Sequence, residues 1–279
     1  MPSVGDPGPA VTSVRLLGAV QAVAGDGSCV DLPSVSQRRL LAILAVHAPR
    51  RLRTEWLAEV LGVSPGALRT SVSRVRATVG PTILETASTG YAVVGEVDAS
   101  RFCREVAVAA DAPVHHQVQA LERALDQWRG PALEEFLGEE WADGYIARLT
   151  EIHAGTVDDL AQALIGARRP GEAIALLEEQ IVRHKYRDRP RGLLIRALAA
   201  AGRQAEALRA FQRYRRLLAD EVGTEPSPGV VRIERRVAIG WDGIDPSTTA
   251  TDERPSVDTH EAVALPFPDL LDTWGSSRR

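Results

Sequence analysis

The sequence predicts a mainly α protein with a small α+β part at its N-terminal end. Three observations carry this. Short strand-like runs at 14–32 and 82–94 frame a set of helical patterns. From Val97 onward the apolar period is helical almost throughout. Within that region a segment recurs at an offset of 34 residues, the period of helix-turn-helix repeat arrays.

At 279 residues the chain exceeds one ordinary domain, so two folded units and a tail are expected. The hydrophobic share of 44% and charged share of 25% are those of globular chains. No apolar run approaches the roughly 18 residues that a membrane span needs. The start, M-P-S-V-G-D-P-G-P-A, has neither the basic end nor the apolar core of a signal peptide. Cys29 and Cys103 have no metal or redox spacing around them and read as two buried, reduced thiols. A cytoplasmic protein without membrane association is expected. Charge divides unevenly. Residues 1–95 hold 9 arginines against 6 acids, and the remainder 24 basic against 31 acidic residues. This gives the expectation of a mildly basic N-terminal unit and an acidic C-terminal one.

The first unit is placed at residues 12–95. V-R-L-L-G-A-V-Q-A-V (14–23), G-D-G-S (25–28) and C-V-D-L (29–32) read as short strands joined by a tight turn. A helical period begins at Ser36, with Leu40, Leu41, Ile43, Leu44 and Ala48 on its apolar face and Pro49 closing it. Thr54 suits the N-cap of a short helix bearing Trp56, Leu57, Val60 and Leu61. Gly62 breaks that helix, Ser64 can cap the next and Pro65 suits its first turn. In this third helix Leu68, Val72, Val75 and Val79 share one narrow face. Arg69, Thr70, Ser73, Arg74 and Arg76 take the other side. T-I-L-E-T (82–86), A-S-T-G (87–90) and Y-A-V-V (91–94) read as a hairpin. A sheet, three helices and a terminal hairpin in this order describe a winged helix-turn-helix. Arginine binds guanine O6 and N7 bidentately or pairs with phosphate, and Ser and Thr add short hydrogen bonds. The outer face of the third helix therefore suits double-stranded DNA.

The second unit is placed at 97–240. A-L-E-R-A-L-D-Q-W (120–128) is one helical stretch, ended by Arg129, Gly130 and Pro131, and a longer run covers 138–167. R-P-G-E-A-I-A-L-L (169–177) aligns with R-Q-A-E-A-L-R-A-F (203–211) at the 34-residue offset, with Ala173 and Ala207 as the small positions between paired helices. An all-α domain of tetratricopeptide (TPR)-like repeats is expected, a partner platform rather than a catalyst.

At this point the residues resemble a family. Residues 14–94 look like the response-regulator (OmpR-type) winged helix. W-R-G-P-A-L (128–133) and A-G-R-Q-A-E-A-L-R-A-F-Q-R-Y-R-R-L-L-A-D-E-V-G-T-E-P-S-P (201–228) resemble the bacterial transcriptional activation domain. The two in this order are similar to the Streptomyces antibiotic regulatory protein (SARP) family over roughly residues 12–240. V-S-R-V-R (72–76) matches that family's recognition-helix core.

The resemblance implies an activator that binds direct repeats at promoters of antibiotic or other secondary-metabolite clusters. It assigns DNA reading to Arg69, Thr70, Ser73, Arg74 and Arg76, with Thr86, Thr89 and Gly90 in the wing. It turns the loop Gly62, Val63 and Ser64 toward polymerase. Its partners are promoter DNA, RNA polymerase holoenzyme and a second copy on DNA. Some members carry an ATPase domain; G-x-x-x-x-G-K-[ST] is absent here, so the small form is expected. Residues 241–279 depart from the pattern. They read as a largely disordered tail ending in an acidic, apolar stretch, A-L-P-F-P-D-L-L-D-T-W (264–274), able to dock on the protein's own body or on a partner.

No catalytic constellation is found, and neither a cofactor nor a metal is implied. His115 and His116 have no ligand-spaced carboxylate or cysteine. Glu134, Glu135, Glu139 and Glu140 read as a solvated acidic face rather than an acid/base pair. A second reading keeps the fold and makes the chain a TPR-like interaction or ligand-sensing regulator with little direct DNA binding.

Overall fold

The computed structural model describes residues 11–242; what is expected of the tail from residue 243 onward lies outside them. The architecture is mainly α with small sheets, as the sequence predicts. Strands β1 (Val11–Arg15), β2 (Gln21–Ala24) and β3 (Cys29–Val30) open the chain. Helices α1 (Val35–Val46), α2 (Thr54–Leu61) and α3 (Pro65–Val79) follow, then the hairpin β4 (Leu84–Ala87) and β5 (Gly90–Val93), and β6 (Glu96–Val97). The remainder is helical: α4 (Asp98–Ala110), α5 (Val114–Leu125), α6 (Glu140–Gly166), α7 (Pro170–Arg183), α8 (Asp188–Ala200), α9 (Gln204–Glu221) and α10 (Pro228–Ala238). One sheet has the order β3-β2-β1-β6, with β6 parallel to β1, and β4 pairs only with β5.

Two compact units divide the described residues: 11–104 with 126–150, and 105–125 with 151–242. The division falls inside α4 and α6. Counted by unit, the expected charge asymmetry disappears. The first holds 13 basic and 13 acidic residues, the second 17 and 16. The acids of 126–150 belong with the arginines of α1.

In the first unit the stretch read as short strands divides between β1 and β2 at Leu16–Val20, where the backbone is engaged elsewhere. Leu16 and Leu17 N–H donate to the Asp98 carboxylate at 2.7 and 3.2 Å. In return Leu17 O accepts from Arg129 N at 3.0 Å, Leu16 O from Leu133 N at 2.8 Å and Gly18 O from Glu134 N. Gly18 has φ +132°, and a Cβ there would lie 3.2 Å from the Arg129 Cβ, so glycine suits both the turn and the approach. Arg129 also pairs with Asp98 at 3.0 Å, and Trp128 meets Phe102 edge-on at 5.5 Å. Trp128 therefore lies beyond α5, which stops at Leu125 rather than running on to 128.

Two ion pairs fix α1, and a third contact ties Val20 to one of the same glutamates. Arg38 pairs with Glu135 at 2.6 Å, Arg39 pairs with Glu139, and Val20 N–H donates to the other Glu135 oxygen. Two of the four glutamates expected to be solvated are thus structural partners. His47, at the C-cap of α1, is buried between Trp56 and the Tyr145 ring, with its Nε2 2.8 Å from the Tyr145 hydroxyl. Thr54 is the first residue of α2 rather than its cap; Arg53 holds the cap position without a side-chain bond. Cys103 is buried, and burial pushes its thiol up to about 11, whereas Cys29 is exposed, contrary to expectation.

In the second unit α8 packs on α7, α9 and α10, and α10 also packs on α9. The starts of α7 and α9, Pro170 and Gln204, lie 34 positions apart. Ala173 and Ala207 are fully buried within one core with Leu160, Leu177, Leu194 and Phe211. No helix among the described residues is long and apolar enough to cross a membrane, and no group of three His, Cys, Asp or Glu among them could hold a metal ion.

Burial lowers the His47 imidazole to about 4, with Arg50 adding to the effect. The unfolded chain takes up this proton near pH 6.5, the folded one near 4, so the stability involved is complete above about pH 7 and is lost as pH falls toward 4. Denaturant melts at pH 7 and pH 5 should show the parent losing on the order of 2 kcal/mol more than His47→Gln.

Candidate nucleic-acid interface

Helix α3 is built to present one face. Ser64 caps it, its Oγ accepting from Ala67 N–H at 3.2 Å, and Pro65 opens its first turn. Leu68, Val72, Val75 and Val79 are all buried, where α3 packs on α1 and α2. That burial turns the intervening residues outward. Arg69, Thr70, Ser73, Arg74 and Arg76 are all exposed. The five predicted residues therefore share the outer side of one helix, with the three guanidinium groups spread over about 10 Å of its axis.

The electrostatics of that side are simple. No acid occurs between Gly62 and Leu84, and the next, Glu85, is paired with Arg51 at 2.9 Å. Arg69, Arg74 and Arg76 make no ion pair among the described residues. An exposed cationic face without internal neutralisation is suited to a polyanion. Thr70 is less free than its exposure suggests, because its hydroxyl donates to Gly66 O at 3.2 Å. Its lone pairs remain available to a donor.

The hairpin places the other predicted residues less uniformly. Thr86 on β4 and Thr89 in the turn are exposed. Gly90 is buried and does not present itself to a ligand. A Cβ there would come 1.9 Å from Leu52 O, so glycine is needed because the chain at Leu52 pairs directly with β5. Leu52 and Tyr91 exchange both backbone bonds, at 2.8 and 3.0 Å. This pairing brings exposed Arg51 and Arg53 alongside the hairpin, residues that the sequence reading passed over. Their signal was the basic run R-R-L-R at 50–53. Gly62, Val63 and Ser64 form an exposed connection between α2 and α3, with Gly62 as a left-handed cap at φ 65°.

Residues 97–238 match the model of the bacterial transcriptional activator domain. The chain belongs to the SARP family of transcriptional regulators. This SARP-family chain is 34% identical over 237 residues to the regulatory protein AfsR of Streptomyces coelicolor, covering 80% of the chain and 24% of AfsR. It is 30% identical to the transcriptional regulator RedD of the same organism, covering 68% of the chain and 60% of RedD. A solved structure of Mycobacterium tuberculosis EmbR, in complex with a low-affinity phosphopeptide, superposes with a TM-score of 0.75 at 27% identity, covering 82% of this chain and 65% of EmbR. The chain thus spans about a quarter of the length of AfsR and less than two thirds of RedD. The matched domain begins at β6 and includes residues 126–150, so part of it folds into the first compact unit.

Because the arginines point away from the buried stripe, Arg74→Ala and Arg76→Ala should leave unfolding free energy within about 0.5 kcal/mol of the parent. Leu68→Ala, made inside that stripe, should cost about 2–5 kcal/mol in the same denaturant titration.

Proposed function

We propose that the SARP-family chain is a sequence-specific DNA-binding activator. In this reading α2 and α3 form a helix-turn-helix, α3 enters the major groove, and β4–β5 is the wing beside it. The observation that carries it is the outer face of α3: three exposed arginines with no acidic partner among the described residues, on a helix whose opposite side is wholly buried. Arg69, Arg74 and Arg76 supply guanine or phosphate contacts, Ser73 and Thr70 short polar ones. Thr86 and Thr89, with Arg53 and Arg51 next to them, meet the backbone flanking the groove. The buried Gly90 contributes by holding the hairpin against Leu52.

Family membership supports the remaining parts of the reading. The chain binds two spaced direct repeats as a pair of copies, in the cytoplasm, at promoters of a secondary-metabolite cluster. The exposed Gly62–Ser64 connection faces RNA polymerase holoenzyme, which the regulator helps to recruit. The stack of α7 to α10 acts as a TPR-like platform for these contacts and performs no catalysis.

A gel shift and footprint of the pure protein on promoter fragments from its genomic neighbourhood, repeated at rising salt, tests this. Two protected repeats should appear, with affinity falling about 10-fold or more in Arg74→Ala. Removing a phosphate-contacting arginine should also reduce the salt slope by about one. Absence of protection at low salt would overturn DNA binding and favour the interaction-platform reading.

A further inference from the structure

We propose that the outer face of α9 is a docking surface for the chain's own acidic, apolar segment, residues 264–274. The starting observation is a second unneutralised row of arginines. Arg209, Arg213 and Arg216 are exposed and, at i, i+4 and i+7, lie on one side of α9 over about 10 Å. Several exposed cations of this unit are held by acids, Arg183 by Glu179, Lys185 by Glu221, Arg203 by Glu206 and Arg215 by Glu225. Arg123, Arg168 and Arg235 are exposed without an ion pair among the described residues, but they stand singly, not in a row on one helix. Arg209, Arg213 and Arg216 make no ion pair among the described residues. Of the acids flanking the row, Glu206 is engaged by two nitrogens of the Arg203 guanidinium, at 2.8 and 2.7 Å. Asp220, one turn beyond Arg216, makes no ion pair with it, so the row keeps a net positive charge. Arg216 does no more than reach back to Gln212 O at 3.4 Å.

The repeat does not require these arginines. Thirty-four positions earlier, the corresponding side of α7 carries Ala175, Glu178, Glu179 and Val182. The row is therefore particular to α9. Two apolar side chains of this unit are also exposed near the ends of α9 and α10. Val222, at the C-cap of α9, is 54% exposed, and Ile239, just past the end of α10, is 86% exposed.

Where the chain leaves the described body identifies the occupant. Gln204, at the first turn of α9, donates its side-chain amide to Val237 O at 2.6 Å. Trp241 then lies under the Arg236 guanidinium, 3.8 Å from the ring centroid. Asp242, the last described residue, thus follows directly on the corner where α10 ends against the start of α9. Beyond this point the chain is acidic, residues 243–279 holding 3 basic and 7 acidic residues, and so complements the arginine row of α9. Within the latter, Phe267, Leu270, Leu271 and Trp274 fall at i, i+3, i+4 and i+7, with Asp269 and Asp272 between them. This is the anchor pattern of segments that lay an amphipathic helix against a partner surface. The intervening 21 residues, 243–263, reach about 25 Å as a flexible linker. The arginine row begins only about 8 Å along α9 from Gln204. Tethering at that distance gives an effective concentration near the millimolar range, enough for a modest charged and apolar contact to persist.

Hydrogen–deuterium exchange of the full chain, read on peptides covering 264–274, tests the proposal. Exchange there should be about fivefold or more slower than in a synthetic 262–276 peptide. The Arg209→Glu, Arg213→Glu, Arg216→Glu triple variant should return it to the free-peptide rate, and adding Asp269→Arg and Asp272→Arg should restore the slowing. All three α9 positions are exposed, and unchanged exchange of the buried α9 amides confirms the fold of the variant. If that variant does not fold, Asp269→Lys with Asp272→Lys alone must abolish the slowing. Free-peptide exchange in the parent chain overturns the proposal, as does slowing unaffected by these substitutions. Slowing that grows with protein concentration assigns the face to a second copy and overturns it too.

Discussion

The first unit depends on one short stretch of backbone, Leu16 to Gly18, most of whose hydrogen bonds are made far away in sequence. The Leu16 and Leu17 N–H groups go to the Asp98 carboxylate, the three carbonyls accept from the backbone of 129–134, and Gly18 N–H closes the turn on Leu16 O. Buried backbone groups must be paired somewhere, and no neighbouring strand serves these. Asp98 also accepts from Ala99 N–H at the start of α4 and is paired with Arg129. One carboxylate thus joins the end of β1, the start of α4 and the W-R-G-P-A-L segment. Burial raises its pKa even against these favourable contacts.

From that junction the order of the candidate DNA-binding face follows. Arg38 and Arg39 of α1 are held by Glu135 and Glu139, and His47 at its far end by Tyr145. α1 packs in turn on α3 and β5. The helix that carries Arg69, Arg74 and Arg76 is therefore backed by residues that belong, by family, to the activator domain. Folding boundary and family boundary differ by the 126–150 segment. A change within that segment has a direct mechanical route to α3, through α1, without involving the second unit.

What was legible in the sequence was what short-range physics determines. The stripe Leu68, Val72, Val75 and Val79 sets which side of α3 is buried, and its complement is the outer face, so both followed from the helical period alone. The Ser64–Pro65 cap and the 34-residue offset are likewise local. What could not be read depended on partners distant in the chain. Where β1 ends depends on Asp98, 82 positions from Leu16. Gly90 looked like a turn glycine at a wing tip, and only the pairing with Leu52 shows why no side chain fits. Cys29 was expected inside because cysteine usually is, yet its two-residue strand lies at the sheet edge. The charge split misled for the same reason: Glu135 and Glu139 pair with Arg38 and Arg39, about a hundred residues earlier.

The Asp98 junction organises the first unit and, through it, the face of α3. The most direct measurement is hydrogen exchange of the full-length Asp98→Ala variant against the parent, resolved along residues 11–104 and 126–150. The account predicts faster exchange at Leu16–Val20, in 129–136 and along α1 and α3 together. This would correspond to about 2–4 kcal/mol lost from the opening free energy of that unit, with α7 to α10 unchanged. Faster exchange confined to Leu16 and Leu17, or a loss below about 0.5 kcal/mol, would contradict it.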